Sequence, residues 1–192
     1  MEVLTGVLAA FGLSASAGLN AYIPLLVIAL IARFTNLIQL NQPWDALTSW
    51  WVIGLLIVLS VIEFFADKVP AVNHINDAIQ TVVRPVAGAI VFAASAKVIT
   101  EIHPVLAMAV GILVAGSVHA VKSAAVRPAV TATTGGAGNV PVSVLEDVVA
   151  AVVSFLAVVV PVVLTIVFIL GLTWLVWWLW RRTNRERLNR TV

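Results

Sequence analysis

Residues 148–180 read VVAAVVSFLAVVVPVVLTIVFILGLTWLVWWLW, and they decide the fold class because they contain no charged side chain. About 20 apolar residues in a helix cross a hydrocarbon core about 30 Å thick. As a single helix this stretch would measure about 50 Å. It must therefore tilt strongly, break near Pro161, or begin inside a protein cavity. Four tryptophans precede Arg181 and Arg182, a pattern typical of a cytoplasmic membrane interface.

The whole chain shares this apolar character. It has 192 residues, a mean hydropathy of +1.08 and only 10% charged residues, whereas soluble domains have about 25%. The sequence predicts an all-α polytopic membrane protein with five or six transmembrane segments, an amphipathic helix, and broken or re-entrant helices. Residues 1–180 would form one transmembrane domain, and residues 181–192 a basic cytoplasmic tail.

The first half contains two apolar segments. Residues 4–32 are interpreted as a retained first membrane segment and not as a cleaved signal peptide, because the N-terminus lacks basic residues and carries Glu2 instead. SASAGLNAYIP, residues 14–24, interrupts it with small and polar residues, which indicates close helix packing or a broken helix beside a cavity. A second span is predicted over residues 51–66.

The middle of the chain alternates polar and apolar character. PAVNHINDAIQTVVR, residues 70–84, predicts an amphipathic helix that either lies in the interface or lines a polar cavity. Further spans are predicted over residues 85–101 and 105–121. RPAVTATTGGAGNVP, residues 127–141, interrupts the pattern with threonines, glycines and prolines.

Short pieces recur in the two halves. SVIE at residues 60–63 matches SVLE at 143–146, and VRP occurs at 83–85 and 126–128. The pieces are in a different order in each half, so a tandem duplication is not supported. An internal repeat of another kind remains possible, as in many transporters.

Acidic residues mark the first candidate site. Glu63 and Asp67 are four residues apart, so both carboxylates would project from one helix face. A charge within a span costs a few kcal/mol, so such a group usually faces a cavity or a partner. Glu63 follows an uncharged run and is the stronger candidate. Asp67 and Lys68 could instead reach the lipid headgroups and simply end the helix.

Glu146 and Asp147 form the second acidic site. With Asn20, Asn139 and Thr133 nearby, the carboxylates would create an all-oxygen environment. That environment suits a hard cation or a proton relay. Alternatively, the two acids only favour the first turn of a helix.

Basic residues could complement these acids. Arg84 and Arg127 would counter-charge the carboxylates or recognise an anionic solute. His119 and Lys122, with Arg127, could do the same or form the cytoplasmic flank of a span. Lys97 and Glu101 are expected to neutralise each other.

Several kinds of chemistry are excluded or left without support. The chain has no cysteine, which excludes disulfides, thiolate catalysis and cysteine-bound metals. Its three histidines lack zinc-ligand spacing, and no nucleotide or hydrolase motif occurs. We expect no enzyme activity, no cofactor and no nucleic-acid partner.

EFFADKVP, the amphipathic segment ending in RP, and SVLEDVV after a Gly/Asn break together carry a family resemblance. From about residue 12 to 170 the chain resembles the domain-of-unknown-function 4126 family. The resemblance implies a bacterial inner-membrane protein, and no activity comes with it.

A second resemblance is partial. Glu63, Asp67 and Lys68 are similar to the Glu-x-Gly-Asp-Lys/Arg signature of small cation/proton exchangers. Here the spacing is one residue longer, Ala66 replaces glycine, and no lysine follows Asp147. These departures argue against manganese or calcium exchange.

The leading prediction is a small membrane transporter or channel for an ion or small solute. The embedded carboxylates would form its coupling site, and it would work as a homo-oligomer in the lipid bilayer. The alternatives are a membrane scaffold held by structural ion pairs and an intramembrane lipid-modifying enzyme.

Overall fold

A computed structural model of the chain describes residues 2–68, 70–96 and 103–188. Its regular elements in these ranges are all helical, as predicted. The helices are α1 (Glu2–Leu19), α2 (Tyr22–Phe34), α3 (Trp50–Ala66), α4 (Pro70–Ala96), α5 (Pro104–Val121), α6 (Arg127–Thr134) and α7 (Asn139–Leu188). A 3₁₀ turn covers Trp44–Thr48, and a π-helical segment, Lys122–Val126, joins α5 to α6.

Within the part of the chain that the structure describes, three helical stretches are long and apolar enough to cross a membrane. They are Ile75–Ser95, Pro104–Thr134 and Asn139–Val160. Three shorter apolar helices accompany them, at Gly6–Leu19, Tyr22–Phe34 and Trp50–Ala66. These findings support a membrane protein, while a count of five or six spans and the internal repeat stay predictions.

Contacts between helices fix their directions. Along α1, Ser16 bonds to Ser154 and Asn20 bonds to Asp147, so α1 and α7 are antiparallel. Trp44 packs against the end of α4 and the start of α5, which places the α2–α3 link at that end of the bundle. We call it the link end. The α6–α7 connection lies at the opposite, or turn, end.

Small residues let the helices approach closely around α1. A Cβ added at Gly88 of α4 would lie 2.8 Å from the Gly111 carbonyl oxygen of α5. The Ser14 hydroxyl of α1 donates to that same carbonyl at 2.9 Å. Close packing and a helix break were alternative predictions for residues 14–24. Both occur, since α1 ends at Leu19 and α2 begins at Tyr22.

Over residues 75–84, helix α4 turns polar side chains inward and apolar side chains outward. Gln80 and Arg84 are buried, whereas Ile79 and Val82 are more than half exposed. The predicted amphipathic segment therefore lines the interior. The span predicted to start at Pro85 has no boundary there, because α4 continues through Pro85 and its membrane-length apolar stretch is Ile75–Ser95. One proline removes a single backbone hydrogen bond, which packed neighbouring helices can tolerate.

The interruption predicted over residues 127–141 is present but short, whereas the alternative of a break near Pro161 is not realised in the described backbone. The segment 127–141 is helical up to Thr134 and turns only at Gly135 and Gly136, whose φ angles are 61° and 92°. Helix α7 passes through Pro161 without a break and is 50 residues long. Its length of about 75 Å exceeds any membrane thickness, so part of it must lie outside the lipid.

Three further sequence predictions concern the two ends of α7 and a segment outside the described residues. The helix begins at Asn139, so Glu146 is not in its first turn, and that alternative for Glu146 and Asp147 is wrong. The predicted tail does not start at a helix end, because the α7 backbone continues to Leu188. The predicted Lys97–Glu101 pair lies outside the described residues.

Candidate functional site

Eight charged side chains meet inside the bundle toward the turn end. The acids and bases are balanced, and their formal charges sum to zero. We call this set the charge network: Glu63, Asp67, Glu146, Asp147, Lys68, Arg84, Lys122 and Arg127. Burying charges is costly unless each is paired, and here each acid faces at least one base.

Asp67 lies at the centre of the charge network and is only 4% exposed. Arg127 Nη2 lies 3.2 Å from its carboxylate, and Lys122 Nζ and Arg84 Nη2 each lie at 3.9 Å. Asn76 donates to the other carboxylate oxygen at 2.6 Å. Burial raises the pKa of the Asp67 carboxyl, but the three cations outweigh it, so the pKa lies below its usual range. Asp67 directly follows the last residue of α3, as expected of a helix end, but its carboxylate is buried among these cations.

Glu63 pairs with Arg84 of α4 at 3.0 Å, and both side chains are at most 1% exposed. Arg84 Nη1 also lies 3.1 Å from His119 Nδ1. A guanidinium can only donate, so this His119 nitrogen accepts and the ring is neutral, with its proton on Nε2. Nε2 then donates to the Thr81 hydroxyl at 3.3 Å. His119 therefore positions Arg84 and carries no charge.

Glu146 binds two bases, Arg127 at 3.0 Å and Lys122 at 2.9 Å. Lys122 also donates to the carbonyl of Leu19, the last residue of α1, at 2.9 Å. The π-helical segment aligns residues five apart, and Lys122 and Arg127 have this separation. Both are buried and paired with an acid, as the alternative of counter-charges requires, while their placement at the cytoplasmic flank stays a prediction.

Asp147 connects α7 to the break between α1 and α2. Asn20 donates to its carboxylate at 2.9 Å, and Lys68 Nζ lies 3.6 Å away. The Asn20 side-chain oxygen accepts from the backbone amides of Tyr22 and Ile23, which begin α2. Asn20 thus holds the start of α2 against the charge network.

The four recurring sequence pieces combine into two ion pairs. Glu63 of SVIE pairs with Arg84 of the first VRP, and Glu146 of SVLE pairs with Arg127 of the second, both at 3.0 Å. The two pairs meet through Asp67, which contacts both arginines. The two acidic sites predicted separately around Glu63 and Glu146 thus lie in one cluster of charges.

Two predicted site residues lie apart from the charge network. Thr133 is exposed and donates only to carbonyls of its own helix. Asn139 exchanges hydrogen bonds with Thr131 near the α6–α7 turn. The expected all-oxygen environment does not form, because lysine and arginine nitrogens occupy the space between the carboxylates. Within the described residues, no group of three or more metal-binding side chains is present.

A polar cavity of about 750 Å³ opens beside the charge network at the turn end. Its polar lining includes Asp67, Lys68, Asp77, Arg127, Thr131 and Asn139. A second, apolar groove of about 440 Å³ lies between α5 and α7, with Lys122 and Glu146 among its lining residues. The polar cavity is the part of the site that can admit a solute.

Sequence reasoning missed four contributors to the site. Lys68 was interpreted as a boundary residue, and Asp77 and Asn76 only as the polar face of an amphipathic helix. Ser143, which donates to Asp67 at 3.3 Å, was quoted only as part of a repeat. One sequence signal could have identified Asn76 and Asp77. The polar face of the amphipathic segment 70–84 needs polar groups on neighbouring helices as partners, and none had been assigned to it.

The comparisons with known proteins bear on family alone. No curated protein and no solved structure matches the chain. A family model described as a domain of unknown function (DUF4126) matches residues 7–182. That match covers nearly the entire chain, including every member of the charge network. The chain therefore belongs to the DUF4126 family, as its EFFADKVP and SVLEDVV motifs predicted.

Proposed function

We propose that this protein is a small transporter or channel of the bacterial inner membrane. It moves an ion or small polar solute, with the charge network as its binding or coupling site. The C-terminus lies in the cytoplasm, and copies of the chain associate into a homo-oligomer. The observation that carries the proposal is the polar cavity placed directly against the buried charge network.

Incomplete hydrogen bonding inside the charge network supports a functional role. Among the described residues, Glu63 Oε2, Arg84 Nε and two Arg127 nitrogens are buried without a hydrogen-bond partner. A network kept only for stability is expected to satisfy its buried polar atoms, because each unmet one costs about 1–3 kcal/mol. Of these residues, Arg127 lines the polar cavity, and hydrogen-bonding groups without a fixed partner suit a site that exchanges partners during transport.

The second candidate is a membrane scaffold, and the ion pairing itself favours it. Each acid of the charge network contacts at least one base within 4 Å. Such pairs join α3, α4, the π-helical segment and α7, and could simply lock the helices together. The two functions differ in whether wild-type protein moves a solute.

The test is osmotic swelling of proteoliposomes, followed by light scattering. The solutes are erythritol, potassium chloride, potassium glutamate and β-alanine. A transporter accelerates swelling with at least one of them, and Glu63→Gln lowers that rate about tenfold or more because Arg84 loses its anion. The matched control is Asp45→Asn, an exposed acid in the 3₁₀ turn, which should leave the rate unchanged.

A second variant separates loss of transport from loss of folding. Combining Glu63→Gln with Arg84→Gln removes both charges of the pair and so avoids an uncompensated buried arginine. The transporter proposal expects a folded oligomer that still does not transport. Wild-type vesicles that swell no faster than protein-free ones with every solute would overturn it and favour the scaffold.

A further inference from the structure

The walls of the polar cavity carry both signs of charge in equal number. Asp67 and Asp77 supply two carboxylates, and Lys68 and Arg127 supply two cations. The formal charge of the lining is therefore zero. A volume of about 750 Å³ falls within the usual range of small-molecule sites.

Arg127 holds unused hydrogen-bonding capacity on the cationic side. Its Nη2 contacts Asp67 and Glu146, at 3.2 Å and 3.0 Å. Its Nε and Nη1 donate to no acceptor among the described residues, and both nitrogens are buried, so a solute in the cavity reaches them when the guanidinium turns toward it. A carboxylate or phosphate can accept two parallel hydrogen bonds from such a guanidinium edge.

Asp77 supplies the opposite charge and stands outside the charge network. It lies on α4 and is partly buried. Its carboxylate forms no ion pair or side-chain hydrogen bond with a described residue, and only its backbone carbonyl is engaged, by Thr81. Asp77 is therefore available to an ammonium group that enters the cavity.

Electrostatics then decides among solutes. An ion of one sign would bring an unbalanced charge into a partly desolvated, neutral cavity, which is costly. An uncharged polyol would leave the Arg127 donors and the Asp77 carboxylate without charged partners. A solute that carries one ammonium and one acidic group matches both walls and keeps the total charge at zero.

We propose that the polar cavity binds a zwitterion, whose acidic group bonds to Arg127 beside Lys68 and whose ammonium bonds to Asp77. The inference deepens the proposed function by naming the class of solute, and its role in transport rests on that function. The same chemistry occurs in free amino acids and in the headgroup of phosphatidylethanolamine.

The test is a binding measurement, which is independent of transport. The full chain is placed in nanodiscs of phosphatidylglycerol, a lipid without an ammonium group, and its unfolding midpoint is followed by tryptophan fluorescence at constant ionic strength. A ligand of the folded state raises this midpoint with concentration. The probes are β-alanine and its two halves, acetate and ethylammonium, given singly and together.

β-Alanine should raise the midpoint saturably, and the two halves should not. Asp77→Asn should weaken the apparent affinity about tenfold or more, since one charged contact is lost. Arg127→Lys, which keeps the charge but loses the guanidinium edge, should also weaken it. Asp45→Asn is the matched control and should behave as wild type. Nanodiscs that also contain phosphatidylethanolamine test the lipid. If this lipid weakens the binding of β-alanine by competition, the zwitterion that the site binds is the lipid headgroup.

The outcomes separate this inference from the proposed function. Equal effects of acetate, ethylammonium and β-alanine, or the same affinity in Asp77→Asn, overturn the zwitterion site. If potassium chloride causes swelling but β-alanine does not bind, the zwitterion site is overturned and the transport proposal stands. β-Alanine binding without swelling by any solute would leave the site intact and refute transport.

Discussion

At the scale of single residues, Asp67 organises the site. It contacts three cations that come from α4, the π-helical segment and α6. Without it, Arg84, Lys122 and Arg127 would repel one another, and only Glu63 and Glu146 would remain to balance them. The stability of the folded chain should therefore depend more on Asp67 than on any exposed acid.

We expect Asp67→Ala to lower the free energy of unfolding by about 3–5 kcal/mol, the usual cost of leaving buried charges uncompensated. Asp45→Ala should change it by less than about 0.5 kcal/mol, as for most exposed sites. Equilibrium unfolding in mixed detergent micelles measures both variants. Equal stability of the two would contradict the central position of Asp67.

At this scale, the sequence predicted the roles of some residues of the site and not of others. Glu63 and Glu146 were identified because charges next to long apolar runs need partners. Asp67 was also named as a candidate, but its role stayed open, because the end of an apolar run looks the same whether it meets lipid headgroups or a buried arginine. Its cations lie 17 to 60 positions away along the chain, and no local pattern reports contacts at that separation.

At the scale of elements, the bundle depends on close contacts of α1, α4 and α5. Gly88 and Gly111 face each other, and the Ser14 hydroxyl donates to the Gly111 carbonyl. In lipid, such small residues provide much of the helix association, because apolar side chains gain little by leaving a hydrocarbon solvent.

Gly88→Ala should destabilise the protein by about 1–3 kcal/mol, the usual cost of overpacking, because its Cβ would lie 2.8 Å from the Gly111 carbonyl oxygen. Gly54 of α3 is the matched control, since a Cβ there meets no atom within 4 Å. Gly54→Ala should be neutral, or stabilise by up to about 1 kcal/mol. Unfolding midpoints in the same micelles test the pair, and equal midpoints would refute this packing.

The element boundaries show where local signals fail. Helix starts at Trp50 and Pro104 agreed with the predicted spans, because tryptophan, serine and proline mark such starts clearly. A span was predicted to start at Pro85, Pro128 was placed in an interruption, and a break near Pro161 was one of three alternatives. The backbone stays helical at all three prolines. Packing between helices overrides the local preference of proline in these cases, and only the turn at Gly135 and Gly136 ends a helix as expected.

At the scale of the whole molecule, polarity is reversed relative to a soluble protein. Arg84, Gln80 and Glu63 are among the most buried side chains, and leucines, valines and tryptophans cover the outside. Hydrocarbon is the solvent that suits such an exterior. The reversed pattern was predictable in outline from the 10% charged content.

Residues at the link end and the turn end should lie on opposite sides of the membrane. Because the chain contains no cysteine, Asn41→Cys and Ala137→Cys each introduce a single exposed thiol. In sealed vesicles of one orientation, a membrane-impermeant maleimide should label only one of the two. Ala10→Cys, which is buried, should react only after denaturation. Labelling of both exposed sites from the same side would contradict the arrangement.

The zero formal charge of the charge network has an electrical consequence. Moving one elementary charge across a membrane potential costs or gains about 2.3 kcal/mol per 100 mV. Four acids and four bases that shift together carry no net charge through the field. A conformational change built on this network would therefore proceed at the same rate in an energised and a de-energised cell.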